Sequence, residues 1–202
     1  MSPSTASALA RHDVLAVDGT PIDVAALFGR VAPLVVEVGS GMGEATALMA
    51  AADPGRDLLA VDVHRQGLGR LLRRVEEAGL TNVRVAEGDA VALLSTMLAP
   101  ASVDEVRVFF PDPWPKSRHG KRRLVQGPFL DLVASRLRPG GVLHVATDWA
   151  PYASQVQVLL LEHPSYDVVH LGSRPEHRPV TRFEQQGLGA GRTSWDGIAR
   201  RR

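Results

Sequence analysis

Residues 34–52 read LVVEVGSGMGEATALMAAA, and this stretch decides the fold. Apart from Glu37, residues 34–38 are apolar and mostly β-branched, which marks a buried strand. Gly39-Ser40-Gly41-Met42-Gly43 follows at once. Glycines there let the chain turn tightly and let a ligand lie against the backbone. Residues 44–52 have helix-forming composition, and Asp53-Pro54-Gly55 stops them. Strand, glycine turn, helix is the opening of a nucleotide-binding α/β unit.

The same alternation continues outward. Strand-like runs recur at residues 58–61, 83–86, 103–110, 142–146 and 166–171, and residues 195–200 read as a last strand. Helical patterns fill 68–78, 90–98, 124–137 and 152–162 between them. Residues 172–194, rich in Gly, Pro and Arg, read as loop with one helical turn. Residues 1–30 are weakly patterned, so they read as an N-terminal extension before one domain at 31–202. Such alternation predicts an α/β fold, a doubly wound, mostly parallel sheet covered on both faces. Right-handed crossovers then place ligands outside the carboxyl ends of the strands.

Composition narrows the chemistry. With 202 residues the chain is long enough to bury a full-sized core. A 45% hydrophobic and 22% charged composition is that of a soluble globular protein. The absence of cysteine excludes disulfides and thiolate metal sites. No apolar run reaches the roughly 18 residues of a membrane span. The N-terminus lacks a basic region followed by an apolar core, so a cytoplasmic location with no membrane partner is expected. Net charge is only +1, yet cations cluster at 116–123 and 200–202. A local patch steers a polyanion even when the total is near neutral.

The strand-end rule brings five acids to one crevice: Glu37, Asp62, Asp89, Asp112 and Asp148. A single acid in such a place is commonly a helix N-cap, and Asp89 suits that role. Several carboxylates together repel one another and call for a cationic ligand. Gly39-x-Gly41-x-Gly43 departs from the dinucleotide fingerprint, and no phosphate-cradling loop is present. An acid after the second strand accepts both hydroxyls of an unphosphorylated ribose. S-adenosylmethionine, with a sulfonium, an ammonium and no phosphate, fits these requirements. Magnesium also gathers acids, but it works mostly with substrate phosphates, so no metal is expected.

Residues 109–123 read FFPDPWPKSRHGKRR. Pro111, Pro113 and Pro115 forbid helix and ladder, so the chain leaves the sheet as a stiff loop. Asp112 and Trp114 stand at that exit, followed by Lys116, Arg118, His119, Lys121, Arg122 and Arg123. Such loops are often plain solvated connections. The neighbouring acids and glycine turn favour a catalytic mouth with an anionic polymer lying across it.

Together VEVGSGMGEAT, FFPDPWPKSRHGKRR, LRPGGVLHVATDWAPYA and RPVTRFEQQG resemble the bacterial tRNA (guanine-N7-)-methyltransferases. The resemblance implies a Rossmann-like class I methyltransferase sheet of seven strands, one of them antiparallel. It implies S-adenosylmethionine as cofactor, with Glu37, Gly39, Gly41, Gly43, Asp62, Asp89 and Asp112 around it. Asp112 would be the active-site residue. Lys116, Asp148, Thr181, Arg182, Phe183 and Glu184 would contact substrate, and Arg118, His119, Lys121, Arg122 and Arg123 would contact RNA. The expected partner is tRNA, methylated in its variable loop by a monomer or homodimer. A small-molecule methyltransferase and a non-catalytic RNA-binding protein on the same fold are the alternatives. Relatives carry a basic N-terminal segment, whereas residues 1–30 hold only Arg11 and Arg30.

Overall fold

A computed structural model describes residues 3–202. Met1 and Ser2, part of the expected extension, lie outside the described residues. Among the described residues, eight strands form one sheet in the order β1-β4-β3-β2-β5-β6-β8-β7. They are β1 (Leu15–Ala16), β2 (Leu34–Val38), β3 (Asp57–Asp62), β4 (Val83–Glu87), β5 (Val103–Phe109), β6 (Leu137–Thr147), β7 (Tyr166–Gly172) and β8 (Trp195–Arg201). Pairing is parallel from β1 through β6, and β8 alone runs against its two neighbours. The single antiparallel strand is as expected. The count is eight rather than seven because the two-residue β1 adds itself beside β4.

The helices are α1 (Pro3–Arg11), α2 (Val24–Phe28), α3 (Glu44–Ala52), α4 (Arg65–Glu77), α5 (Ala90–Ala92), α6 (Gly127–Arg136), α7 (Ala150–Glu162) and α8 (Arg182–Gly189). A π-helical turn, Leu93–Met97, continues α5, and a 3-10 turn, Ser117–Arg122, lies in the proline-rich loop. All five residues of β2 are buried, because both faces of the sheet are covered. Val36, Leu59, Val106 and Leu143 meet Leu93, Leu130 and Val156 in one core, whereas Val35, Leu58 and Ala60 meet Ala50, Leu68 and Leu71 in the other. No helix of the described residues is long and apolar enough to cross a membrane.

Two segments differ from the sequence reading. The expected weakly structured extension contains α1, β1 and α2. Ala8 and Leu9 of α1 are buried in the second core. A Cβ on Gly69 of α4 would stand 2.5 Å from the Thr5 side chain, so glycine there lets the two helices approach closely. Residues 182–189, within the segment read as loop with one helical turn, form the two-turn α8. Thr181 caps it by accepting a hydrogen bond from the Glu184 N–H at 3.1 Å. Thr181-x-x-Glu184 is the sequence pattern of a helix start.

Candidate active site

The glycine turn after β2 is built for close approach. Gly41 and Gly43 sit at φ 56° and 73°, conformations that side chains disfavour. A Cβ on Gly43 would stand 2.5 Å from that of Leu71, so α4 also needs a glycine there. Asp62, at the end of β3, pins the turn: Oδ2 accepts from the Gly41 N–H at 2.9 Å. Its Oδ1 accepts from the His64 N–H at 2.8 Å. The charge therefore sits beside the turn, where the sequence reading expects a ribose.

Two adjoining cavities open at the carboxyl ends of the strands. One, of about 270 Å³, is lined by Glu37, Ser40, Met42, Thr181 and Arg182 among others. The second, of about 470 Å³, is lined by Asp62, Asp89, Asp112, Trp114 and Arg122 among others. Gly39, Phe109, Phe110 and Phe183 line both, so the two form one cleft. Four of the five expected acids thus gather here. Asp89 combines both of its readings, since it lines the cleft and caps α5 by accepting from the Ala92 N–H at 2.9 Å.

Glu37 lines the smaller cavity together with Glu44 and Arg182. It is 3% exposed, and its Oε2 has no hydrogen-bond partner. Burial raises its pKa above the ordinary carboxylate value, with the Arg107 charge opposing. The buried Ser40 hydroxyl beside it is also without a partner. Such groups are costly to leave unmatched, so they fit a bound cationic, hydrogen-bonding ligand.

Asp112 is exposed on the wall of the larger cavity. It leaves β5 through a strained stretch: Phe110 and Trp114 have φ of 53° and 43°. Residues held in this left-handed region cost about 1–3 kcal/mol each and persist only where their surroundings fix them. The Arg122 guanidinium covers the Trp114 ring at 5.0 Å, and His119 meets that ring edge-on at 5.9 Å. Arg118 bonds His119 on the exposed side. Lys116 and Lys121 are exposed beside them.

Three residues expected at the substrate or RNA are occupied elsewhere. Arg123 donates to the Pro113 carbonyl at 2.9 Å and to Gln155 at 2.6 Å, and it covers the Tyr152 ring. It anchors the loop rather than offering its charge to solvent. Asp148 lines neither cavity and pairs with Arg192 at 2.8 Å. Glu184, 4% exposed, also lines neither. Its Oε2 accepts from Arg178 at 2.7 Å, and its Oε1 accepts from Ser194 at 2.7 Å and faces Arg174 at 3.3 Å. The side chain points into an ion network, where burial requires that it be paired.

The sequence reading missed the centre of that network. Arg178 is 0% exposed and forks onto Asp196 at 2.7 and 2.8 Å. His144 joins Asp196 at 2.7 Å. Burial works against the Arg178 charge, but Asp196 and Glu184 outweigh it and its pKa is raised. Nothing in a Pro- and Arg-rich segment marks one arginine as buried. Among the described residues, no cluster of three or more His, Asp or Glu is arranged to hold a metal ion.

Comparison with known proteins agrees with this geometry. Residues 31–197 match the family described as "Putative methyltransferase". A tRNA (guanine-N(7)-)-methyltransferase of Streptomyces avermitilis is 53% identical over 191 residues, 93% of this chain and 66% of the relative. The one from Streptomyces coelicolor is 54% identical over 192 residues, 93% of this chain and 71% of the relative. The chain thus spans about two thirds of the length of these relatives. Among solved structures, a 30S ribosomal A1408 methyltransferase from an uncultured bacterium superposes with a TM-score of 0.64 at 12% identity, covering 89% of this chain and 93% of that one. That likeness bears on the fold alone. With the family match spanning most of the sheet and over half the residues shared with its relatives, the chain belongs to the tRNA (guanine-N(7)-)-methyltransferase family.

Proposed function

We propose that this chain methylates N7 of guanine in the variable loop of tRNA, with S-adenosylmethionine as donor. The observation that carries the reading is Glu37, a buried carboxylate with one open oxygen at the end of a cleft that also holds Asp62, Asp89 and Asp112. S-adenosylmethionine supplies a methyl group on a sulfonium, which N7 takes through its lone pair as the carbon–sulfur bond breaks, giving 7-methylguanosine and S-adenosylhomocysteine. Glu37 and Ser40 would hold its ammonium end, Asp62 its ribose and Asp89 its adenine side.

N7 carries no proton, so no general base is required. The protein's task is alignment, which catalyses by removing orientational freedom. Asp112 places a negative charge where the guanine ring turns positive, an electrostatic contribution that is larger in the transition state than in the ground state. Trp114 and Phe183 offer aromatic faces at the cleft, and unstacked RNA bases are commonly held on such faces. Thr181 and Arg182 complete the wall around the base. Lys116, Arg118, His119, Lys121 and Arg122 hold phosphates, making binding salt-dependent. The enzyme acts in the cytoplasm, and its catalytic domain takes in the packed N-terminal segment as well as residues 31–202.

The test is methyl transfer from labelled S-adenosylmethionine to bulk tRNA, followed by mapping of 7-methylguanosine. Label in that nucleoside supports the reading. A small-molecule methyltransferase would keep its activity after charge reversal at Lys116 and Lys121, and an RNA-binding protein without catalysis would bind tRNA and transfer no label.

A further inference from the structure

Arg178 lines neither cavity, yet it touches both walls of the cleft. Its guanidinium lies over the Phe109 ring at 5.6 Å and the Phe110 ring at 5.3 Å. Phe109 ends β5 and Phe110 follows it; both line both cavities, and Asp112 comes two residues after Phe110. The same guanidinium holds Glu184 of α8 at 2.7 Å. Thr181, Arg182 and Phe183, which precede Glu184, form the opposing wall. The fork onto Asp196 fixes the whole assembly to β8.

Arginine suits this place for a geometric reason. A planar guanidinium donates in its own plane and stacks through its faces, so one side chain can grip two carboxylates and carry aromatic rings at once. Phe110 needs such support, because its backbone is held at φ 53°. Its N–H bonds to the Ala146 carbonyl at 2.8 Å, which fixes the backbone, while Arg178 fixes the ring.

We propose that Arg178 is a positioning residue for methyl transfer: it sets the Phe110–Asp112 wall and the Thr181–Phe183 wall at the separation and angle that the reaction needs. The inference rests on the methyltransferase reading above. It assigns Arg178 no contact with cofactor or base. Its signature is therefore a loss of turnover with little loss of binding, since small misplacements of aligned groups cost up to about 100-fold in rate.

Arg178→Lys keeps the charge and gives up both the fork and the flat stacking face. The expected result is a kcat about 10- to 100-fold lower on tRNA, with the S-adenosylmethionine Kd and the tRNA KM each within about threefold of wild type. Glu184→Gln, which keeps the shape of α8 and weakens the ion network that ties it to Arg178 and Arg174, should lower kcat by a smaller factor with the same binding constants. A merely structural Arg178 would give a lower melting temperature with kcat per folded molecule unchanged, and that outcome overturns the proposal. So does a loss confined to either binding constant. Should the lysine variant fail to fold, Glu184→Gln decides in the same way: lowered kcat supports the proposal and unchanged kcat overturns it. A wild-type protein without methyl transfer would instead sink the functional reading, which is a separate result.

Discussion

Two sets of acids near the carboxyl ends of the same sheet look alike in sequence and differ in what surrounds them. Glu37 and Asp112 line the cleft, and one oxygen of the buried Glu37 has no partner. Glu184 and Asp148 lie close by but are each held by arginine, Glu184 by Arg178 and Arg174, Asp148 by Arg192. A carboxylate already matched by a fixed cation braces structure. One left open in a cavity wall is available to a ligand. The four therefore divide by partner and not by distance from a strand end.

The sharpest way to break that division is to remove a bracing acid. Glu184→Ala leaves Arg178 buried with half of its ionic partners gone, and removing one member of a buried pair costs about 3–5 kcal/mol. Chemical denaturation should show a loss of that size; a change within experimental error would make the network dispensable. Asp112→Ala should do the reverse. Its exposed side chain holds nothing together, so stability should change little while kcat falls about 100- to 1000-fold, the scale for removing one transition-state electrostatic interaction. Equal losses of kcat and tRNA affinity would deny it a catalytic role.

The cations divide in the same manner. Lys121→Glu with Arg122→Glu should raise the tRNA Kd and flatten its salt dependence by about 0.7 in log–log slope for each single-strand phosphate no longer neutralised. Arg123→Ala, by contrast, should lower the melting temperature, because this arginine ties the loop to Gln155 and Tyr152. The smallest effect concerns pH. Burial raises the Glu37 pKa, so the folded state holds that proton more tightly than the unfolded state. Its contribution to stability is full below the unfolded carboxylate pKa and is lost as pH rises through the folded value. Relative to Glu37→Gln, the free protein should lose stability over that window, a shift of about 2–4 °C for each kcal/mol. Parallel melting curves across the window would contradict it.

Much of the fold was legible because its strands are continuous apolar runs separated by helical spacing. Residues 34–38 announce themselves, as do the β-branched and aromatic positions of 106–110 and the turn at Gly39 to Gly43. The two-residue β1 does not, since it exists only through its pairing with β4. One helical turn was expected within 172–194; the full extent of the helix at 182–189 was not legible because Phe183 and Leu188 make a thin apolar face, although Thr181 and Glu184 signalled its start. Residues 139–141, Pro-Gly-Gly, fall between the expected helix 124–137 and strand 142–146 yet lie within β6, where the pairing with β5 shifts register between Val103 and Glu105. For the site, strand ends sufficed to gather Glu37, Asp62, Asp89 and Asp112. They did not separate these from Asp148, because the arginine that claims a carboxylate can arrive from elsewhere in the chain. Arg178 reaches Asp196 across eighteen positions, and Arg192 reaches Asp148 across forty-four.

The most direct measurement is calorimetric titration of S-adenosylmethionine into wild-type protein, Glu37→Gln and Glu184→Gln. An open Glu37 oxygen that receives the cofactor predicts a Kd raised about 10- to 100-fold in Glu37→Gln, on the scale of a hydrogen bond to a charged group, and a Kd close to wild type in Glu184→Gln. Unweakened binding in Glu37→Gln, or a loss appearing in Glu184→Gln instead, would contradict the division between ligand-facing and bracing acids.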